Sequence, residues 1–359
     1  MDRSITRERS AATTLVAGLL AGLFAVSVGP AAAAERTLTL MTHDSFYLPP
    51  AVIEAFESAN DVDVRLLPAG DAGAMVNQAI LTADRPLADV LFGVDNTFLS
   101  RALAADIFEP YRSPALESVP AELQLDPEHR VTPIDFGDVC LNLDRAAFGD
   151  DGLPVPRSLE DLAEPVLAGQ LVVENPATSS PGLAFLLATV AHFGEDPETG
   201  WKAYWADLRA NDVTVTSGWE EAYYGSFSGG SGEGELPIVV SYASSPAAEV
   251  VFGPDPEADE SPTIALDVGC FRQIEFAGIL RGSAEPELAG AFIDHLLSME
   301  TQAELPLAMY VHPARVDVVL PPVFERHALV PTTPPGLDPA AIDAGREAWI
   351  REWTDIVLR

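Results

Sequence analysis

The residues whose types and spacing point to chemistry lie in three loops. They are Asn175-Pro176-Ala177-Thr178-Ser179-Ser180-Pro181-Gly182, Thr216-Ser217-Gly218-Trp219, and Ser241-Tyr242-Ala243-Ser244-Ser245-Pro246. Both serine loops stand where a strand pattern gives way to a helix pattern. Hydroxyls and the free N–H groups of a first helical turn suit an anion or a hydroxyl, although Ser179 followed by Pro181 is equally the pattern of a helix cap. Trp219 follows a glycine at a strand end, from where it projects into a cleft or packs in the core. Covalent chemistry has less support. Gly225-Ser226-Phe227-Ser228-Gly229 carries Phe where a nucleophile elbow needs Ser, and neither a P-loop nor His-Glu-x-x-His occurs. The 6 His are scattered, and no Cys/His cluster has metal-ligand spacing. Gly229 to Gly234 reads as a flexible surface loop, lacking the helix start or Lys of a phosphate cradle. Adjacent Tyr223 and Tyr224 offer phenolates to Fe(III), yet neighbours on a helix diverge by about 100°, which favours one of them as core. An exported hydrolase or lyase would rely on acids such as Asp44 and Asp95.

The elements that position these loops alternate. Thr37 to Thr42 reads as a strand, Ala51 to Ser58 as a helix, Val62 to Leu67 as a strand, Ala72 to Leu81 as a helix and Ala88 to Val94 as a buried strand. This βαβα order favours a parallel sheet with helices on both faces and ligand loops beyond the strands' carboxyl ends. After a Pro- and charge-rich stretch from Tyr111 to Pro133 the pattern resumes. Strands are expected at Val139–Leu143, Gln170–Glu174, Val213–Thr216 and Ile238–Tyr242, and helices at Leu159–Leu162, Pro181–Phe193 and Gly200–Arg209. Asp267–Leu280 reads as a strand, Glu285–Leu297 as a helix, and Ala340–Leu358 as a terminal helix with Trp349 and Trp353 on its apolar face. A chain that crosses to a second lobe near residue 135 and returns near 270 encloses a cleft between lobes, a common place for a ligand.

Composition bounds the partners. A chain of 359 residues exceeds the size at which single cores stop growing, about 250–300 residues. With 55 Asp+Glu against 20 Lys+Arg the formal net charge is −35, which repels phosphate backbones and anionic membranes and suits a neutral or cationic small ligand. Residues 1–34 have the layout of a cleaved secretory signal: Arg3, Arg7 and Arg9, an apolar run from Ala11 to Val28, then Pro30-Ala31-Ala32-Ala33-Ala34. The alternative is a membrane anchor, since about 18 apolar residues just span a bilayer. No Cys follows the run, which disfavours a lipid anchor. Export permits Cys140 and Cys270 to pair, with two buried thiols as the alternative.

From about Thr37 to the C-terminus the chain resembles the thiamine-binding subunit of bacterial ABC importers, within the extracellular solute-binding proteins of type II periplasmic-binding fold. The segments that carry the resemblance are Thr42-His43-Asp44-Ser45-Phe46, Ala88-Asp89-Val90-Leu91-Phe92-Gly93-Val94-Asp95-Asn96, Thr178-Ser179-Ser180-Pro181-Gly182-Leu183, Val213 to Tyr223, Val240-Ser241-Tyr242-Ala243-Ser244-Ser245-Pro246-Ala247, and Arg346-Glu347-Ala348-Trp349-Ile350-Arg351-Glu352-Trp353. The resemblance implies an α/β fold of two lobes, each a mixed, mostly parallel sheet flanked by helices. Lobe 1 would comprise residues 35–134 plus 271–359, and lobe 2 residues 135–270. It implies ligand contacts at Asp71, Ala72, Ser179, Ser180, Trp219, Tyr242, Ala243, Ser244 and Ser245, with His43, Asp44 and Tyr310 as additional candidates. The serine loops, Trp219 and Tyr242 would enclose the hydroxyethyl or phosphate end of thiamine or its esters, and Asp71 would face the other end.

The sequence departs from the family pattern at His43, where the family has Tyr, at Ala72, where it has Gly, and at Ala248, where it has an aromatic. A lost stacking partner weakens binding by about 0.5–1.5 kcal/mol beyond area burial, so Phe46, Tyr47 or Tyr310 must compensate, or the ligand is a relative of thiamine. The expectation is a non-enzymatic, exported, monomeric receptor without a cofactor. It would deliver thiamine or its mono- or diphosphate to a membrane permease, with another small solute such as Fe(III) as the alternative.

Overall fold

Buried Leu38, Leu40 and Met41 define the inward positions of β1 (Arg36–Thr42), the strand on which the first half of the molecule is built. The computed structural model describes residues 36–149, 152–332, 337 and 339–359; the signal expected over residues 1–34 lies outside them. The chain continues through α1 (Pro50–Asn60), β2 (Val62–Pro68), α2 (Ala72–Leu81), β3 (Val90–Asp95), α3 (Leu99–Ala104) and the short β4 (Phe108–Glu109). β2 and β3 both pair parallel to β1, as the βαβ order requires. Every residue of β3 is buried, which explains its unbroken apolar run.

Short 3₁₀ turns occupy the Pro-rich stretch and lead into β5 (Thr132–Asp144). Next come β6 (Leu171–Glu174), α4 (Ser180–Phe193), α5 (Trp201–Ala210), β7 (Thr214–Thr216), β8 (Ile238–Tyr242), α6 (Ser245–Val251) and β9 (Thr263–Leu280). The chain finishes with α7 (Pro286–Leu296), α8 (Met299–Ala308), β10 (His312–Pro313), α9 (Pro322–His327) and α10 (Pro339–Val357). One ten-stranded sheet results, with main path β2-β1-β3-β9-β5-β8-β6-β7. Its flanks pair parallel, whereas β5 and β9 make the centre antiparallel, so the mostly parallel character expected of the lobes holds only away from the middle. The expected lobe boundaries at 134/135 and 270/271 fall inside these two long strands.

The β5–β9 ladder is interrupted. Val139 pairs with Phe271 and Leu141 with Leu266, so Asp267 to Cys270 bulge outward opposite Cys140. Cys140 and Cys270 are joined by a disulfide across that bulge, and both are buried. α4 is buried from Ser180 to Val190 and packs on β9, β5, β6 and β8, with α5 beside it. α10 ties the periphery together. Trp353 stacks edge-on against Trp205 of α5 at 5.4 Å, and Arg346 lies over Phe98, ahead of α3, at 5.7 Å.

Some elements differ from expectation for local reasons. The helix expected at Leu159–Leu162 is a 3₁₀ turn, Glu160–Ala163. α8 carries Pro306 in its interior, which hides it from a helix pattern. The segment read as a flexible Gly229–Gly234 loop is folded back on Tyr224 and Phe227 through Glu233 N–H to Tyr224 O (2.8 Å) and Gly234 N–H to Phe227 O (2.9 Å).

Candidate functional site

The carboxyl ends of β1, β7 and β8 and the first turns of α2, α4 and α6 surround a cavity of about 400 Å³, within the range of small-ligand pockets. Asp71 is the residue that draws its walls together. It caps α2 by accepting from Ala72 N–H at 2.6 Å, and its carboxylate reaches Trp219 N–H at 3.0 Å and Ser180 N–H at 3.4 Å. Gly218 makes the approach feasible, because a Cβ there would fall 3.0 Å from Asp71 Oδ2. Burial pushes the Asp71 carboxyl above its ordinary range, against the pull of these N–H donors.

Ser179 stands at the N-cap of α4, yet its hydroxyl makes no capping bond. The hydroxyls of Ser179 and Ser180 are both buried and make no hydrogen bond of good geometry among the described residues, although they face the carboxylates of Asp71 and Asp95, whose charge they help to hold. Trp219 is fixed from several sides: its indole N–H donates to Ser241 Oγ at 2.8 Å, and its ring stacks on Tyr223 at 5.1 Å. Ser241 is in turn 2.9 Å from Ser245 Oγ. Tyr242 and Tyr224 stand edge-on to the same indole.

The floor is acidic. Glu275 lines the cavity, lies 3.3 Å from His43 Nε2 and pairs across strands with Asp135. Burial alone would lower the His43 pKa, but Glu275, Asp71 and Asp44 overcome it and raise it. Asp135 is raised well above the carboxylate range by burial and by the charge of Glu275. Behind the serine loop, burial and Asp71 raise Glu174 likewise, and neither of its oxygens has a partner. Among these groups Glu275 is the one that faces the cavity beside His43, and its carboxylate favours a ligand cation there, whereas the raised Asp135 and Glu174 hold protons more readily and add less charge.

Of the expected contacts, Asp71, Ala72, Ser180, Trp219, Tyr242, Ser245, His43 and Tyr310 line the cavity. Ser179, Ala243 and Ser244 are buried behind it: Ala243 N–H donates to Asp138 O, and the Ser244 hydroxyl to the carbonyl of Tyr310. Asp44 is exposed and outside the lining, because it follows His43 and points the other way. Asp71 does not face the far end of the cavity from the serines; its bonds to Ser180 and Trp219 place it against them. Asp95 is saturated by Thr97 and Gln273 and does not line the cavity, and burial holds it at about 6. Tyr223 and Tyr224 do not form a phenolate pair, since the buried Tyr223 hydroxyl donates to Glu249 at 2.8 Å while Tyr224 is half-exposed.

Phe46 packs on Phe92 at 4.8 Å and takes no part in the lining, so it does not replace the aromatic missing at Ala248. Tyr47 and Tyr310 do line the cavity, as does Phe252, one turn beyond Ala248. Sequence reasoning missed Ser231, Glu249, Phe252 and Glu275. A signal for Glu249 and Phe252 existed: with Ser245 and Ala248 they fall at i, i+3, i+4 and i+7, one face of a helix.

The profile of bacterial extracellular solute-binding proteins matches residues 85–333. The chain is 31% identical to the thiamine-binding periplasmic protein of Salmonella typhimurium, over 91% of this chain and 95% of that one. It is also 31% identical to the protein of the same description from Brucella suis, over 94% and 98%. The solved structure of a periplasmic thiamin binding protein superposes with a TM-score of 0.78 at 29% identity, covering 90% of this chain and 97% of that one. With its fold, its cavity at the strand ends and these likenesses, the chain belongs to the bacterial extracellular solute-binding proteins.

Proposed function

We propose that this chain is the receptor of an ABC importer and that its cargo is thiamine, free or as the mono- or diphosphate. The observation that carries the reading is the aromatic-walled cavity in which Trp219 is fixed beside buried serine hydroxyls, over an acidic floor. Thiamine joins a hydroxyethyl arm, a cationic thiazolium and an aminopyrimidine. The serine end suits the arm or its phosphate, and the faces of Trp219 and Tyr242 and the carboxylate of Glu275 suit the cation. The relatives named above support the identity of the cargo.

In this reading lobe 1 comprises residues 35–134 with 271–359, lobe 2 residues 135–270, and β5 and β9 are the hinge. The Asp71 bonds to Ser180 and Trp219 are the latch of the closed form, which the receptor presents to the membrane permease. It works outside the cytoplasmic membrane as a monomer, after removal of residues 1–34, without a cofactor and without altering the cargo. Among the described residues no helix is long and apolar enough to cross a membrane, and no group of three or more His, Cys, Asp or Glu is placed to hold a metal ion. Fe(III) is served poorly, because burial raises the Tyr223 phenol well above its ordinary range.

Thermal unfolding with a panel of thiamine, its two phosphates and Fe(III) citrate tests this. A ligand at about 100 times its Kd stabilises by about 2.7 kcal/mol, so a thiamine species should raise the midpoint and iron should not. A shift with iron alone, or none with any thiamine species, overturns the reading.

A further inference from the structure

α6 and the Gly-rich turn build one wall of the cavity, and Glu249 is the carboxylate that α6 brings to it. Glu249 is 6% exposed and lines the cavity. Its Oε1 accepts from the Tyr223 hydroxyl at 2.8 Å and the Ser231 hydroxyl at 2.7 Å. Oε2 makes no hydrogen bond among the described residues and, unlike the buried unpaired oxygens of Glu174, is open to the cavity. The carboxylate lies against the bare Cα of Gly230, where a Cβ would fall 2.2 Å from Oε2, and Gly230 takes φ +58°, a backbone that other residues rarely adopt. Two donors thus fix one oxygen in place and a glycine makes room for the other. An oxygen open to the cavity is free to accept from a ligand N–H, and a charge-assisted bond there is stronger than a neutral one. Aromatic rings frame the same wall: Phe252 and Tyr310 stand edge-on at 5.7 Å, with Tyr224 also in the lining. The occupant that fits is flat, aromatic and a hydrogen-bond donor.

The geometry assigns Glu249 Oε2 as the acceptor for the exocyclic amine of the cargo's heteroaromatic ring, so that this wall of the cavity selects an amino-substituted ring over its oxo analogue. The inference rests on the thiamine reading and orients the cargo, with the aminopyrimidine at Glu249 and the hydroxyethyl arm at Ser180. In oxythiamine a carbonyl oxygen replaces the amine and would set lone pairs against the carboxylate.

Titration calorimetry with thiamine and oxythiamine, on the wild-type protein and on Glu249→Gln, reads the site. Gln keeps an acceptor for Tyr223 and Ser231 and replaces Oε2 with a donor. A charge-assisted bond in a buried site implies that the wild type prefers thiamine by at least about tenfold, and that the variant loses about tenfold in thiamine affinity together with most of that preference. Equal wild-type affinities, or an unchanged preference in a folded variant, overturn the assignment; the wild-type comparison stands even where the variant does not fold. Should the wild type bind neither compound, the thiamine reading fails. The subsite is then read with 4-amino-2-methylpyrimidine and its hydroxy analogue: preference for the amine keeps the assignment, and equal or absent binding overturns it.

Discussion

Trp219 is held by its indole N–H on Ser241 and its ring on Tyr223, contacts that do not depend on the Asp71 latch, so its position is set before any ligand arrives. Preorganised aromatic surface of this kind concentrates binding energy. Trp219→Ala is therefore expected to weaken thiamine binding by at least about tenfold, as measured by intrinsic fluorescence or calorimetry, while the circular dichroism spectrum is unchanged. Unchanged affinity would remove Trp219 from the site. A Trp after Gly at a strand end and serines at helix starts are equally explained by core packing and helix capping, so Trp219 and the serines were legible as a site only through their occurrence together in the order that the family resemblance implies. Glu249 was harder to read, since acidic residues are common in this chain and only its place on the cavity face of α6 singles it out. Asp44 was misplaced for a simpler reason: neighbours in an irregular turn diverge, so His43 faces the cavity and Asp44 faces solvent.

At the scale of elements, β5 and β9 decide the geometry, because they carry the chain between the halves of the sheet and hold the floor residues Asp135 and Glu275 opposite each other. Their bulge at Asp267 to Cys270 is pinned by the disulfide to Cys140. Replacing both cysteines with serine should cost about 2–5 kcal/mol of stability, as for other disulfides that close long loops, and urea unfolding would measure it. Equal stability of oxidised wild type and double variant would assign the bond no structural weight. The short periodic strands and helices of the first half were readable from alternation and length. The full extent of β5 and β9 was not. Both are buried on two faces near the middle of the sheet, where strand alternation disappears, and the bulge breaks what periodicity remains. Their antiparallel pairing is a tertiary fact with no local signature.

At the scale of the whole molecule, the formal charge of −35 is spread over solvated surface, whereas a few acids are buried around the cavity. Burial holds Asp95 at about 6 and raises Glu174 and Asp135 further, and His43 is raised by Glu275 in spite of burial. Each of these groups binds protons more readily folded than unfolded. Their contribution is fully present below the ordinary carboxylate range and is lost as pH rises through about 6 and beyond. Asp126, lowered by Arg130 despite burial, and Glu160, lowered by His192, act in the opposite sense only at more acid pH. The thermal midpoint should therefore rise as pH falls from about 8 to about 5, with Asp95 alone accounting for on the order of 1.4 kcal/mol by pH 5 and for about 3 kcal/mol only once pH is below the ordinary carboxylate range. Asp95→Asn should flatten the profile, and a wild-type midpoint that falls over this range would contradict the assignment. The alternation of strands and helices was visible in the sequence, but the acid floor was not, since it forms only when β1, β5 and β9 meet. The central claim is that the cavity binds thiamine, and calorimetric titration of thiamine into cargo-free protein tests it most directly. The account predicts one saturable site with a negative heat-capacity change from apolar burial; absence of saturable heat at millimolar thiamine would contradict it.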